Sequence, residues 1–176
     1  MGTRTASDVQ QPIPFAAIPF LDLGEDGTAV LTGSKEYRIF VLRPDRKRSE
    51  LNAGIAPAAV SDFERDSATT YIRQMGGFAS QVLSAQGEAA IETIPQNHPA
   101  ISALKVMRDG SIWVRRVPEL GSAVARWDVF DSANTVAEYA NLPANQWVAD
   151  GTLDQLFAIE YKDDSWIAVK LVRAEK

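Results

Sequence analysis

The sequence contains no cysteine and only one histidine, His98. The first absence excludes disulfides, thiol nucleophiles and thiolate metal sites together; the second leaves almost no room for multi-histidine metal centres or a histidine-based triad. No apolar run approaches the roughly 18 to 20 residues that a membrane-spanning helix needs. Basic residues are in the minority, with 18 Lys and Arg against 23 Asp and Glu for a formal net charge of −5. This balance argues against a general nucleic-acid binder. A P-loop, a Rossmann glycine pattern, a nucleophile elbow and a zinc motif are also missing. Met1 to Pro12 lack the charged start, apolar run and small-residue cleavage pattern of an export signal, so the sequence as written leaves the compartment open between the cytoplasm and a processed, exported form.

What is present is an ordinary globular composition, 45% apolar and 23% charged over 176 residues, enough for a packed core. Pro12, Pro14 and Pro19 alternate with Ile13, Phe15 and Ile18, so residues 1–19 are expected to form an extended strap that lies on another surface. The remainder, 20–176, is expected to be one β-rich domain. Strand character marks Ala29 to Thr32, Tyr37 to Leu42, Ile112 to Val117, Ala125 to Phe130, Leu156 to Tyr161 and Trp166 to Val172. The last of these is apolar on both faces, which predicts a strand covered on each side.

The middle of the chain breaks this pattern. Ser61 and Glu64 have capping-box spacing, and Phe63, Tyr71, Ile72, Met75, Phe78, Val82 and Leu83 recur at helical intervals. These residues predict a helical insertion at about 61–86, interrupted at Gly76-Gly77. Three Asp-Gly pairs, at Gly27, Gly110 and Gly151, are spaced as two units and one unit of a period of about 40 residues, as in propeller blades. Asp-Gly also suits a two-residue hairpin turn. A sandwich or barrel with one or two helices remains the alternative architecture.

Asp109-Gly110-Ser111-Ile112-Trp113-Val114-Arg115, followed by Trp127-Asp128-Val129-Phe130-Asp131, resembles the closing half of a bacterial six-bladed β-propeller family. Leu23 to Thr32 and Tyr37-Arg38-Ile39 resemble strands of the same family, and the helical stretch resembles its inter-blade insertion. Ser132-Ala133-Asn134 stands where that family commonly has a glycine turn. The resemblance implies a partial, propeller-like β fold of about three antiparallel blades, and favours a periplasmic location. Such a part-ring leaves open sheet edges, to be met by a second copy of the chain, by its own helical segment and strap, or by a larger partner.

The side chains offer sparse chemistry. Asp109, Asp128 and Asp131 are candidates for a calcium-like site, against the simpler expectation that acids beside turns accept backbone hydrogen bonds. Trp113 and Trp127 suit packing better than ligand stacking. His98 sits in a proline-flanked loop with no partner motif. Arg115 and Arg116 must point to opposite sides of one strand. Arg43, Arg46, Lys47 and Arg48 form a basic hairpin tip suited to an acidic or lipid surface. Together with Ile13, Phe15 and Ile18 they are the candidate interaction residues. The expected function is a non-enzymatic interaction or scaffold module that binds another protein, in its specific version an extrinsic subunit of a larger, membrane-associated assembly, with no catalytic residues or cofactor assigned. The alternatives are a propeller-type hydrolase or lactonase holding a divalent ion on carboxylates, and a small-ligand or glycan-binding module using Trp113, Trp127, Trp147 or Trp166.

Overall fold

The computed structural model describes residues 13–76, 81–152 and 155–172. The chain divides into two compact units, Met1–Ala16 with Ala58–His98, and Ala17–Pro57 with Pro99–Lys176. The second unit is mainly β. Its first sheet is a meander of β1 (Phe20–Leu23), β2 (Ala29–Thr32), β3 (Ile39–Leu42) and β4 (Arg48–Leu51). A central sheet follows in the same style, with β5 (Ile101–Val106), β6 (Ile112–Arg116), β7 (Val124–Phe130) and β8 (Val136–Pro143). The third sheet contains β9 (Gln146–Gly151), β10 (Leu156–Lys162) and β11 (Ser165–Val172). Neighbouring strands are antiparallel in all three.

The central sheet is covered on both faces, and strand alternation decides which residue goes where. Ile112, Val114 and Phe130 pack with Val30, Ile39, Val41 and Leu51 of the first sheet. Trp113, Trp127, Val129 and Leu142 pack on the other side with Val148 and Leu156 of the third. The leading strands of successive sheets are neighbours, β1 beside β5 and β5 beside β9. Three open antiparallel sheets stacked in this way fit a partial propeller-like fold or a sandwich.

Four hairpins of this unit share one loop geometry. In the β1–β2 loop, Gly24 N–H donates to the Thr28 carbonyl and Gly27 N–H to the Gly24 carbonyl, with φ of 83° at Gly27. The same pair of bonds joins Met107, Gly110 and Ser111 between β5 and β6, where Gly110 has φ of 76°. It recurs at Arg43, Arg46 and Lys47 with φ of 63° at Arg46, and at Asp131, Asn134 and Thr135 with φ of 66° at Asn134. These are three-residue loops closed by a left-handed residue, not the two-residue turns expected from Asp-Gly. A two-residue turn is found instead at Asp163-Asp164, whose φ angles are 50° and 57°. The Asp-Gly of Asp150-Gly151 is not a turn at all, since Gly151 ends β9 and the loop follows it.

In the other unit, α1 (Asp62–Gly76) and α2 (Gln81–Glu92) supply the expected helical insertion, with the second helix running on beyond Gln86. The capping box is complete. Ser61 N–H and Oγ donate to Glu64 Oε2 at 2.9 and 2.7 Å, and Glu64 N–H returns to Ser61 Oγ at 3.3 Å. These bonds from Ser61 hold the Glu64 carboxyl below its ordinary pKa. The buried stripe of α1 is Glu64, Ala68 and Ile72, and the last two pack with Ile94, Phe15, Ala90 and Ile91. Phe63 and Tyr71, expected on that stripe, are 72% and 49% exposed because they lie one position off its four-residue spacing. Gly77 and Phe78, and the side chains of Met75, Val82 and Leu83, lie outside what is described.

Candidate interaction surface

The first sheet turns one face to the central sheet and the other to solvent. Register places Leu21 across from Leu31 and Leu31 across from Phe40, with Leu23, Ala29 and Leu42 in the adjoining row. Cross-strand neighbours on one face touch, so these residues form a continuous apolar surface rather than scattered exposures. Leu21 and Leu23 are 66% and 65% exposed, and Leu31, Phe40 and Leu42 between 43% and 47%. At its rim Arg38 grips Glu50 through two bonds of 2.7 and 3.0 Å and lies 5.3 Å from the centre of the Phe40 ring.

The third sheet exposes a different group. Trp166, expected to be covered, is 61% exposed and stacks edge-on against Trp147 at 5.4 Å, with Tyr161 at 5.1 Å. Arg115 lies 5.0 Å from the Trp147 ring centre. Trp113 and Trp127 are fully buried packing residues, their rings 6.4 Å apart.

The proposed acidic trio does not converge. Asp109 Oδ1 accepts Ser111 N–H and Oγ–H, and Asp131 Oδ1 accepts the N–H groups of Ala133 and Thr135, so both shape their loops. Asp128 is neither a turn acid nor a metal ligand in waiting. It lies within β7, is 0% exposed, and accepts the Tyr37 hydroxyl at 2.5 Å and Arg116 Nε and Nη2 at 2.8 Å each. Burial, reinforced by the Asp128 carboxylate, raises the Tyr37 hydroxyl far above its ordinary pKa, and the same carboxylate raises Arg116. Among the described residues no group of three or more His, Cys, Asp or Glu side chains is placed to hold a metal ion. Arg115 points the opposite way from Arg116, to Ser102 Oγ at 2.9 Å and the Ala144 carbonyl at 2.7 Å, as strand alternation requires.

No protein-family model, curated protein or solved structure matches the chain.

The basic tip between β3 and β4 is smaller than its sequence suggests. Arg43 is drawn inward, donating to Asn134 Oδ1 at 2.8 Å and to the Ser132 carbonyl, while Asn134 Nδ2 donates to Ser49 Oγ at 2.8 Å. Asn134 therefore does more than tolerate its left-handed backbone: it ties the β7–β8 loop to the first sheet. Arg46, Lys47 and Arg48 remain exposed, with Lys47 paired to Asp45 at 2.9 Å.

The three apolar strap residues do not act together. Ile13 is half-buried, Phe15 packs edge-on against His98 at 4.9 Å, and Ile18 belongs to the β unit, where it is 55% exposed. His98 Nε2 sits 3.1 Å from Glu64 Oε1, so its partner is the cap acid of α1.

A shallow cleft of about 190 Å³ opens where the leading strands meet, lined by Leu23, Glu25, Lys105, Arg108 and Asp150. Its cations are already paired, Lys105 with Asp22 at 3.1 Å and Arg108 with Asp150. The exposed face of the first sheet is thus the surface whose physical state most needs an explanation, and the candidate residues named from sequence did not include it.

Proposed function

We propose that this chain is a non-enzymatic interaction module that holds another protein against the outer face of its first sheet. The observation that carries this reading is the two-row surface of Leu21, Leu31 and Phe40 with Leu23 and Leu42. Five large apolar side chains, 43–66% exposed, each forgo that fraction of the benefit of full burial, about 0.6–2 kcal/mol, a cost that a bound partner would remove. The chemistry elsewhere is committed to structure: Asp128 to Tyr37 and Arg116, Asp109 and Asp131 to their loops, Glu64 to Ser61 and His98.

The test compares wild-type chain with Leu31→Glu and Phe40→Glu as baits in extract from the native source, with bound proteins quantified by mass spectrometry. A protein retained near stoichiometry by wild type and lost by both variants is the expected result. Equal retention on all three baits would remove the sheet face from the account.

A further inference from the structure

The two ends of the sheet stack are complementary in kind, and we infer that a second copy of this chain supplies what covers them, closing a ring of sheets from two molecules. The inference rests on the reading of the exposed sheet face as a docking surface and names its occupant.

The shared loop geometry aligns the first and central sheets residue by residue. Setting Gly24-to-Thr28 on Met107-to-Ser111 places Leu21 on Leu104, Leu23 on Val106 and Leu31 on Val114. In the central sheet those three positions are buried, at 9%, 4% and 0% exposure, against the sheet that precedes it. The leucines of the first sheet occupy the same positions, and among the described residues no sheet lies in front of them. On the opposite face the alignment sets Val30 on Trp113, each buried against the sheet that follows. Each sheet therefore has a leading face and a trailing face, and within the chain every junction joins the trailing face of one to the leading face of the next.

One leading face and one trailing face are left over. The first sheet offers Leu21, Leu23, Leu31, Phe40 and Leu42. The third sheet turns Leu156 and Val148 to the central sheet and so offers Phe157, Tyr161 and Trp166, which are 37%, 38% and 61% exposed. The surface that fits the leading face of one molecule, by continuation of the junctions already present, is the trailing face of another. A head-to-tail contact of this type closes if the rotation per sheet allows it and otherwise grows into a filament. Propellers close with roughly 4–8 blades. The three sheets of the described residues put one copy short of that range, two copies inside it and three beyond it.

The experiment uses size-exclusion chromatography with light scattering on the full chain and on Leu31→Glu and Phe157→Glu, with circular dichroism to verify that each variant folds. Wild type is expected at twice the 19.2 kDa chain mass, and each variant, which damages one face in both copies, at the single-chain mass. Mixing the two variants is expected to restore a dimer, because the intact leading face of one meets the intact trailing face of the other at one of the two junctions. A folded wild type that stays at single-chain mass at about 100 µM, an open series of larger oligomers, or a mixture that fails to pair would each overturn the inference. The docking reading itself fails separately. A monomeric wild type that still loses a different bound protein on Leu31→Glu would refute the second copy alone, whereas a monomer whose binding is indifferent to Leu31→Glu would refute both.

Discussion

Removing the Asp128 carboxylate is the most informative perturbation of the fold. The group is 0% exposed and accepts four donors: Tyr37 hydroxyl at 2.5 Å, Arg116 Nε and Nη2 at 2.8 Å, and Arg126 Nε at 3.4 Å. Substitution by Ala leaves a buried tyrosine hydroxyl without its acceptor and a guanidinium, 24% exposed at its side chain, without its counter-charge. Breaking a buried ion pair by deleting one partner costs about 3–5 kcal/mol, and the partial hydration of Arg116 favours the lower end, about 3 kcal/mol. Tyr37→Phe deletes one charge-assisted bond but leaves the carboxylate its arginine, so about 1.5 kcal/mol is expected. Once Asp128 is gone the tyrosine hydroxyl has nothing to donate to, and the double variant should cost little more than Asp128→Ala alone. The coupling energy is then about 1.5 kcal/mol. Urea unfolding followed by tryptophan fluorescence suits the measurement, since Trp113 and Trp127 are fully buried in the same sheet. A cost for Asp128→Ala under about 1 kcal/mol, or additive single and double variants, would refute the claim that this buried charge is held by Tyr37 and Arg116.

The same tyrosine gives a pH signature. Its hydroxyl ionises near the ordinary value of 10.0 in the unfolded chain and far higher when folded, so the stability it contributes is whole below pH 10 and drains away as the pH rises beyond it. Melting temperatures between pH 8 and 11 should therefore fall more steeply for wild type than for Tyr37→Phe, and parallel curves would show that the hydroxyl titrates normally. Asn134→Gly tests whether the left-handed loop residue is chosen for its backbone or for its side chain. Glycine would relieve a backbone penalty of at most about 1–2 kcal/mol but loses the bonds to Arg43 and Ser49 and gains unfolded-state entropy. A net loss of about 1 kcal/mol, or roughly 2–4 °C in Tm, is expected by differential scanning calorimetry, and a higher Tm would mean the backbone dominates.

The residues show why the architecture could be read from sequence while the surface could not. Ser61-to-Glu64 announced α1 because a capping box is a local device, complete within four residues. Strands rich in β-branched and aromatic residues announced themselves by composition, whereas β4, with the sequence Arg-Ser-Glu-Leu, and β9, with Gln-Trp-Val-Ala-Asp-Gly, form because their neighbours pair with them. Asp128 illustrates the next level. An acid between Trp127 and Val129 in an apolar strand must have a partner, but the partners are Arg116 across a hairpin and Tyr37 in another sheet, a pairing set by topology and not by spacing. The outer face of the first sheet lies one step further out. Alternation tells which residues share a face, and the unbroken run Ile39-Phe40-Val41-Leu42 carried the signal that both faces expect cover. That argument was available for β3 as much as for β11, yet at β11 it pointed to Trp166, which is open to solvent. A strand apolar on both sides states that something covers it and is silent on whether that cover belongs to the same molecule. The three sheets of the described residues, and the equivalence of Leu31 with the buried Val114, are what support the proposal that another chain supplies that cover.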